Sequence, residues 1–301
     1  MNDTLTPEWI AVDWGTTNLR AYAMQGASVV ARAASGDGMG QLTTAGFEPA
    51  LMALIGGWAN AASVRIIACG MVGSRQGWVE APYAKVPCTP LNRPLTHAPS
   101  TQNLDVRVIS GLSQTTPPDV MRGEETQIAG FLAFNPGWDG VLCLPGTHTK
   151  WVHLSAGEIV SFQTFMTGEL FALISEASVL RHSLTADGWD SAVFAEAVTD
   201  ALSHPQRLAA RLFTLRADHL LHDAPAPTTR GALSGLLIGA ELAAARAYWL
   251  GQNVAILGTQ DQARAYQTAL RPQGIEAMLV DAEKATLAGL TAAYRSTKAS
   301  S

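Results

Sequence analysis

The chain has 301 residues, long for one hydrophobic core and suited to two domains. With 25 acidic against 20 basic side chains it carries a net charge of -5, which gives no basic field for nucleic acid. Its apolar runs stop short of the roughly 18 residues needed to cross a bilayer, so neither nucleic acid nor membrane is an expected partner.

Residues 1–10, MNDTLTPEWI, lack a basic stretch followed by an apolar one, so no signal peptide is read and a cytoplasmic location is expected. Cys69, Cys88 and Cys143 form no CxxC pair and read as buried reduced thiols. The seven histidines show no zinc-ligand spacing. Strands are predicted at 9–13, 18–24 and 28–33, joined by tight turns as a meander. A helix over 46–62 and a buried strand over 64–69 follow. Residues 80–105 carry Pro82, Pro87, Pro90, Pro94 and Pro99, and each proline removes a donor and constrains its predecessor. That stretch is expected to be an irregular functional loop. A strand at 106–110 then leads to a helix beginning near Gly123.

A second round opens at 140, where GVLCL, WVHLS and EIVSFQ again read as three strands with tight turns. Ala/Leu-rich helices follow over 169–180, 190–202 and 207–221, with apolar residues at three- and four-residue spacing. The expected division is an N-terminal domain, 1–134, and a C-terminal domain, 135–301. The last helix, about 282–296, is a candidate to pack back on the first.

The two rounds share a turn. DWGTTNLR closes the first hairpin and LPGTHTKW its counterpart, each with Gly-Thr, a further hydroxyl and a basic residue. Glycine lets backbone amides approach an anion, and successive turn amides form an anion-binding concavity. Threonine hydroxyls and a Lys or Arg add donors. Gly15, Thr16, Thr17, Asn18 and Arg20, with Gly146, Thr147, His148, Thr149 and Lys150, are therefore candidates to clamp a polyphosphate between two half-folds. His148 is read as orienting its turn. Asp13 ends the first strand, and a carboxylate beside phosphates suits Mg²⁺, which keeps most of its waters. As a plain turn acid it would need no metal.

The hairpins resemble the phosphate-1 and phosphate-2 motifs of the sugar kinase, Hsp70 and actin superfamily. CGMVGSRQGW, MRGEETQ, LPGTHTKW, FMTGELFALI and LSGLLIGAE together resemble the 2-dehydro-3-deoxygalactonokinase family. The resemblance runs from residue 9 to about 295. It implies an α/β fold of two ribonuclease-H-like (actin-like ATPase) domains with a nucleotide cleft between them. It also implies transfer of phosphate from ATP, with Mg²⁺, to the terminal hydroxyl of a 2-keto-3-deoxy sugar acid. The partners are then small molecules, and a homodimer is one candidate assembly. RGALSGLLIGAEL and VAILGTQDQARAYQTAL resemble the adenosine-binding region, which marks Gly235 and Gly258.

Many sugar kinases of this superfamily place an aspartate base at the helix before the phosphate-2 hairpin. Here the stretch is Gly123-Glu124-Glu125, so Glu124 and Glu125 are the candidate catalytic acids, and both would also be favoured there by the helix dipole. For the sugar acid, the strand end at 69 runs into Gly73, Ser74, Arg75 and Gln76, and Arg75 offers a bidentate fork for a carboxylate. Thr167 and Glu169 open a helix and form a second candidate wall, with Trp78 and Phe165 available to the sugar's apolar edge. The C4 configuration of the sugar acid stays open, galacto or gluco. A polyphosphate-type phosphohydrolase and a non-catalytic sugar-acid sensor are the competing readings.

Overall fold

The computed structural model describes residues 6–58, 61–185 and 188–299, and it divides into two compact units. The first takes the described part of Met1–Trp138, Ser155–Ser161 and Ala282–Ser301; the second takes Asp139–Leu154 and Phe162–Asp281.

In the first unit, β1 (Trp9–Trp14), β2 (Leu19–Gln25) and β3 (Ser28–Ser35) form the expected meander. The chain continues through α1 (Phe47–Ile55), β4 (Ile66–Gly70), β5 (Tyr83–Lys85), β6 (Thr96–His97) and β7 (Val106–Val108). The main sheet has the order β3-β2-β1-β4-β7-β6, with β1, β4 and β7 mutually parallel. All five residues of β4 and five of the six in β1 are buried, as befits strands covered on both faces. Ile10, Val12 and Trp14 pack with Phe47, Leu51 and Trp78 on one face.

Three expectations need correction. The first helix stops at Ile55 instead of 62, because Gly56 and Gly57 follow and the Gly56 N–H caps Met52 O at 2.8 Å. Residues 59 and 60 of that predicted helix lie outside the described residues. Within the proline-rich stretch two short strands, β5 and β6, find partners in β8 and β7. The sequence also hid a hairpin, β8 (Gly111–Thr115) with β9 (Pro118–Met121). Pro118 opens an edge strand of the sheet β5-β8-β9, where a missing donor is tolerated.

Next comes α2 (Glu124–Phe134). The scheme repeats from residue 140: β10 (Gly140–Leu144), β11 (Thr149–Ser155), β12 (Glu158–Phe165), α3 (Thr167–Ala177), α4 (Ser191–Ser203), α5 (Leu208–His222), α6 (Ala226–Ala244), α7 (Arg246–Trp249), β13 (Val254–Gly258), α8 (Gln260–Leu270) and β14 (Met278–Asp281), which apart from the 155–161 stretch make up the second unit. Its sheet order, β12-β11-β10-β13-β14, matches β3-β2-β1-β4-β7 position for position, with β10, β13 and β14 parallel. Each unit is thus a ribonuclease-H-like sheet. Phe194, Trp151, Trp249 and Ile256 anchor the second core.

The final helix, α9 (Ala282–Ala299), belongs to the first unit and packs on α2, β1 and β4. Tyr294 stacks on Trp9 at 4.4 Å between ring centroids. Where α9 crosses α2, a Cβ on Gly130 would meet Ala285 O at 1.8 Å, and one on Gly289 would meet Thr126 O at 1.9 Å. The helices therefore touch backbone to backbone. Gly130→Ala should force them apart and lower stability by roughly 1–3 kcal/mol, the usual range for overpacking. A denaturation midpoint equal to wild type would contradict that close crossing.

All three cysteines are buried and free of disulfides. Among the described residues no helix is long and apolar enough to cross a membrane.

Candidate functional site

The first unit builds a polar cluster at the carboxyl ends of its parallel strands. The 15–18 turn is closed by Gly15 N–H to Asn18 O at 2.9 Å, leaving Thr16, Thr17 and Asn18 exposed. A second loop braces it: Met39 N–H donates to Gly15 O at 3.0 Å, Gly40 N–H to Thr16 O at 2.9 Å, and Trp14 Nε1 to Asp37 O at 2.8 Å. Sequence reasoning missed this brace, although glycines at 36, 38 and 40 were a readable signal.

Asp13 sits half-buried at the end of β1, with Arg20 Nη1 3.3 Å from its Oδ2. Cys69 Sγ donates to Asp13 Oδ1 at 4.0 Å. Burial pushes the Asp13 carboxyl above the usual range; Arg20 opposes the rise and the Glu124 charge adds to it. The Asp13 and Glu124 carboxylates are thus electrostatic neighbours.

The two first-turn acids of α2 separate cleanly. Glu125 is fully buried, and its carboxylate accepts from Gly123 N–H at 2.6 Å and Thr126 Oγ1 at 3.0 Å. Burial and the neighbouring Glu124 charge raise it to about 7, outweighing the hydrogen bonds from Gly123 and Thr126. Glu124 is half-buried, and its Oε2 accepts the Arg122 N–H at 3.1 Å. Only Glu124 of the pair reaches the surface.

Gly73 and Ser74 are buried behind β4, whereas Arg75 and Gln76 are exposed. The Arg75 side chain is 80% exposed and meets Glu80 at 3.5 Å. Trp78 does not offer a sugar platform: it is buried, in a T-shaped contact with Trp14, and donates to Pro99 O. Phe165 likewise packs on the second core.

In the second unit the matching turn leaves Thr147 and His148 exposed and Gly146 half-buried. Thr149 and Lys150 are buried, so they are not the exposed donors the turn was expected to present. Thr149 Oγ1 lies 2.9 Å from Tyr266 Oη. Glu169, expected among the substrate contacts, instead clasps the hairpin: His148 Nε2 is 2.6 Å from its Oε2, and its backbone N–H donates to Thr147 O at 2.9 Å. Gly168 fits against the same turn, where a Cβ would lie 2.2 Å from Gly146 O.

Beneath the hairpin lies a buried carboxylate that the sequence did not reveal. Glu241 accepts from Trp151 Nε1 and Tyr266 Oη, each at 2.8 Å, and from Thr167 Oγ1. Burial lifts its pKa to about 7, against the pull of the Thr167, Trp151 and Tyr266 hydrogen bonds. Thr167 is thereby a support of the turn.

Beside this network a cavity of about 710 Å³ opens within the second unit, lined by Gly146, Thr149, Gly168, Arg230, Ser234 and Gln262 among others. Phe171, Trp189, Leu237 and Ile238 give it apolar walls, the mix expected of a small-molecule site. It lies in the region that resembles an adenosine site, but Gly235 does not reach it. Gly231, Gly235 and Gly239 share one face of α6 and abut α4, at Asp190, Phe194 and Val198 carbonyls. Spaced four apart, they allow a close helix crossing, and the neighbouring face of α6 lines the cavity through Arg230 and Ser234. Gly258 ends β13 half-buried beside Pro145. Arg230, Ser234, Gln262 and Tyr266 escaped the sequence reading because attention went to the glycines between them.

The family model described as 2-keto-3-deoxy-galactonokinase matches residues 13–293. The Rhizobium meliloti (strain 1021) protein named "Probable 2-dehydro-3-deoxygalactonokinase DgoK1" is 39% identical, over 95% of this chain and 96% of its own. The Escherichia coli (strain K12) 2-dehydro-3-deoxygalactonokinase is 35% identical, over 95% and 97%. A crystal structure assigned to a 2-dehydro-3-deoxygalactonokinase protein from Sinorhizobium meliloti superposes with a TM-score of 0.89 at 38% identity, covering 96% of this chain and 99% of that one.

Proposed function

The chain belongs to the 2-keto-3-deoxy-galactonokinase family, and from that membership we infer that it transfers the γ-phosphoryl group of ATP to the 6-hydroxyl of 2-dehydro-3-deoxygalactonate. The observation that carries the reading is the repeated turn. In both units a Gly-Thr hairpin follows the central strand of one and the same strand order. Each turn is a candidate phosphate cradle, and the cavity in the second unit is the candidate adenosine site.

Phosphoryl transfer depends on positioning and charge neutralisation more than on covalent chemistry. Thr16, Thr17 and Asn18 in one unit, and Thr147 and His148 in the other, are exposed turn residues that offer donors to phosphate oxygens, beside the half-buried Gly15 and Gly146. Asp13 and Glu124 are neighbouring carboxylates, an oxygen donor set that fits a divalent ion satisfied with few protein ligands. Bound there, Mg²⁺ would neutralise phosphate charge. In this reading Glu124, the half-buried acid of the first turn of α2, accepts the proton of the attacking hydroxyl. We also place the reaction in the cytoplasm, where ATP is supplied.

The direct test is ADP release from ATP over a panel of sugar acids, with the C4-epimeric 2-dehydro-3-deoxygluconate included. Product with the galacto acid and little without an acceptor supports the kinase; phosphate release independent of any sugar acid would support a phosphohydrolase. Asp13→Asn should raise the Mg²⁺ requirement at least as much as the roughly tenfold that outer-shell changes at metal sites produce. An unaltered Mg²⁺ titration would leave Asp13 as a turn residue paired with Arg20.

A further inference from the structure

The carboxylate that distinguishes a sugar acid from a neutral sugar needs a cation, and the most exposed candidate, Arg75, already meets Glu80 in open solvent. A different arginine stands in a more demanding setting. Arg122 is nine-tenths buried between β9 and α2. Its Nη2 donates to Ala81 O at 2.8 Å, and its guanidinium lies 4.3 Å from the centre of the Tyr83 ring. Its Nε and Nη1 have no hydrogen-bond partner, and among the described residues no carboxylate pairs with it. An arginine keeps its charge at any ordinary pH, and a buried charge without a counter-ion is costly. Its free Nε and Nη1 donors suit an anionic group.

The neighbours point the same way. Ser74 Oγ and Ser110 Oγ are also buried without partners. Ser74 lies just beyond β4 and Ser110 just beyond β7, at the carboxyl ends of parallel strands, where ligands of open α/β sheets gather. Gly73, beside Ser74, is close enough that a Cβ there would stand 2.8 Å from Arg122 Nη1. Three orphaned polar side chains thus sit on the segments that leave β4, β7 and β9, the last of them running into the Gly123-Glu124 turn that opens α2.

We propose that Arg122, with the Ser74 hydroxyl, receives the carboxylate of the sugar acid. The assignment rests on the sugar-acid reading above. The guanidinium fork suits bidentate carboxylate recognition, and the hydroxyl supplies a further donor. In the present state the 73–81 segment meets the guanidinium at both ends, through the close approach of Gly73 and the bond to Ala81 O. Entry of the carboxylate therefore requires that segment to shift.

The experiment compares two acceptors, the sugar acid and the neutral analogue with a hydroxymethyl group in place of the carboxylate. Arg122→Gln should reduce kcat/KM for the acid by at least about 100-fold, the scale of removing one partner of a buried charge pair. It should change the neutral analogue by less than about threefold and leave the ATP KM unaltered, while Arg122→Lys restores part of the loss. Ser74→Ala removes a hydroxyl that bonds to nothing in the fold, so it should keep the wild-type denaturation midpoint. It should still lose roughly tenfold on the acid alone, as for a hydrogen bond to a charged group. Arg75→Gln should preserve the acid preference. Equal losses on both acceptors, or an acid-specific loss in Arg75→Gln instead, would overturn the assignment; if Arg122→Gln does not fold, an undiminished acid preference in Ser74→Ala overturns it. Should wild type phosphorylate neither acceptor, the kinase reading fails, and stabilisation of the protein by the sugar acid decides separately. Stabilisation of wild type that is lost in Ser74→Ala supports the receptor, and equal stabilisation or none overturns it.

Discussion

Replacing Glu124 by Gln is expected to lower kcat by roughly 10²–10⁴, the range typical of general-base assistance, while both substrate KM values stay near wild type. Glu124 is the half-buried acid of the first turn of α2, and its charge is felt by Asp13. A helix N-terminus favours an ionised carboxylate and so makes a weak base. That suffices where the transition state is loose and the attacking hydroxyl loses its proton late. Glu125→Gln should differ, because Glu125 is fully buried against Gly123 and Thr126 and is out of reach of any acceptor. Its kcat should remain within about threefold of wild type, less than one hydrogen bond's worth. If Glu124→Gln keeps near wild-type kcat, the base lies elsewhere, and Glu169, beside His148, is the next acid to replace.

Replacing Glu241 by Gln is expected to flatten the dependence of stability on pH. Burial raises Glu241 from 4.5 to about 7 in the folded state. Between those values the unfolded chain releases a proton that the folded chain retains, so stability falls as pH rises. The contribution is fully present below about pH 4.5 and is lost as pH rises through about 7. At 1.36 kcal/mol per unit the full span is on the order of 3 kcal/mol. Wild type should therefore unfold more readily in urea at pH 8 than at pH 5, and Glu241→Gln should lose most of its share of that slope. Glu125, raised to about 7 chiefly by burial, contributes a second share, so the double variant should be flatter still. Glu48 acts in the opposite direction at low pH. Burial raises it, but hydrogen bonds from Ser100, Thr101 and Gln102 prevail and hold it at about 2, so its contribution is lost as pH falls below about 4.5. A slope between pH 5 and 8 that Glu241→Gln leaves intact would show that Glu241 is ionised in the fold at ordinary pH.

The network around Glu241 gives this test a functional side as well. Thr149, in the second hairpin, touches Tyr266, which donates to Glu241, and Thr167 of α3 donates to the same carboxylate. The turn, α3, α6 and α8 are thereby tied to one acid. The arrangement engages Thr149, expected at the nucleotide, and Thr167, expected at the sugar acid, in one buried network, and both also line the neighbouring cavity.

What the sequence by itself determined is local. The period-two apolar runs placed the strands of both meanders, and Gly-Thr turns with a following basic residue marked the two hairpins. The shared order of these signals along the chain indicated a repeated half-fold. These features depend on residues within a few positions of one another, where side-chain period and turn chemistry act directly. One local signal was nonetheless misjudged, since Gly56-Gly57 ends the first helix, and the β8–β9 hairpin with Pro118 at its edge went unread. What only the tertiary structure decided is which face of each element is covered, and by what. Glu124 and Glu125 are adjacent in sequence, yet burial leaves one at the surface and encloses the other. Gly235 reads as a ligand contact until α4, more than thirty residues earlier, is found against it. Arg75 reads as the cation for a carboxylate until solvent is found around it, whereas Arg122, which the sequence did not single out, lies buried against Ala81 and Tyr83. Desolvation is the reason: it sets the charge, the donors left over and the reach of each polar group, and it is a property of neighbours brought together from distant parts of the chain.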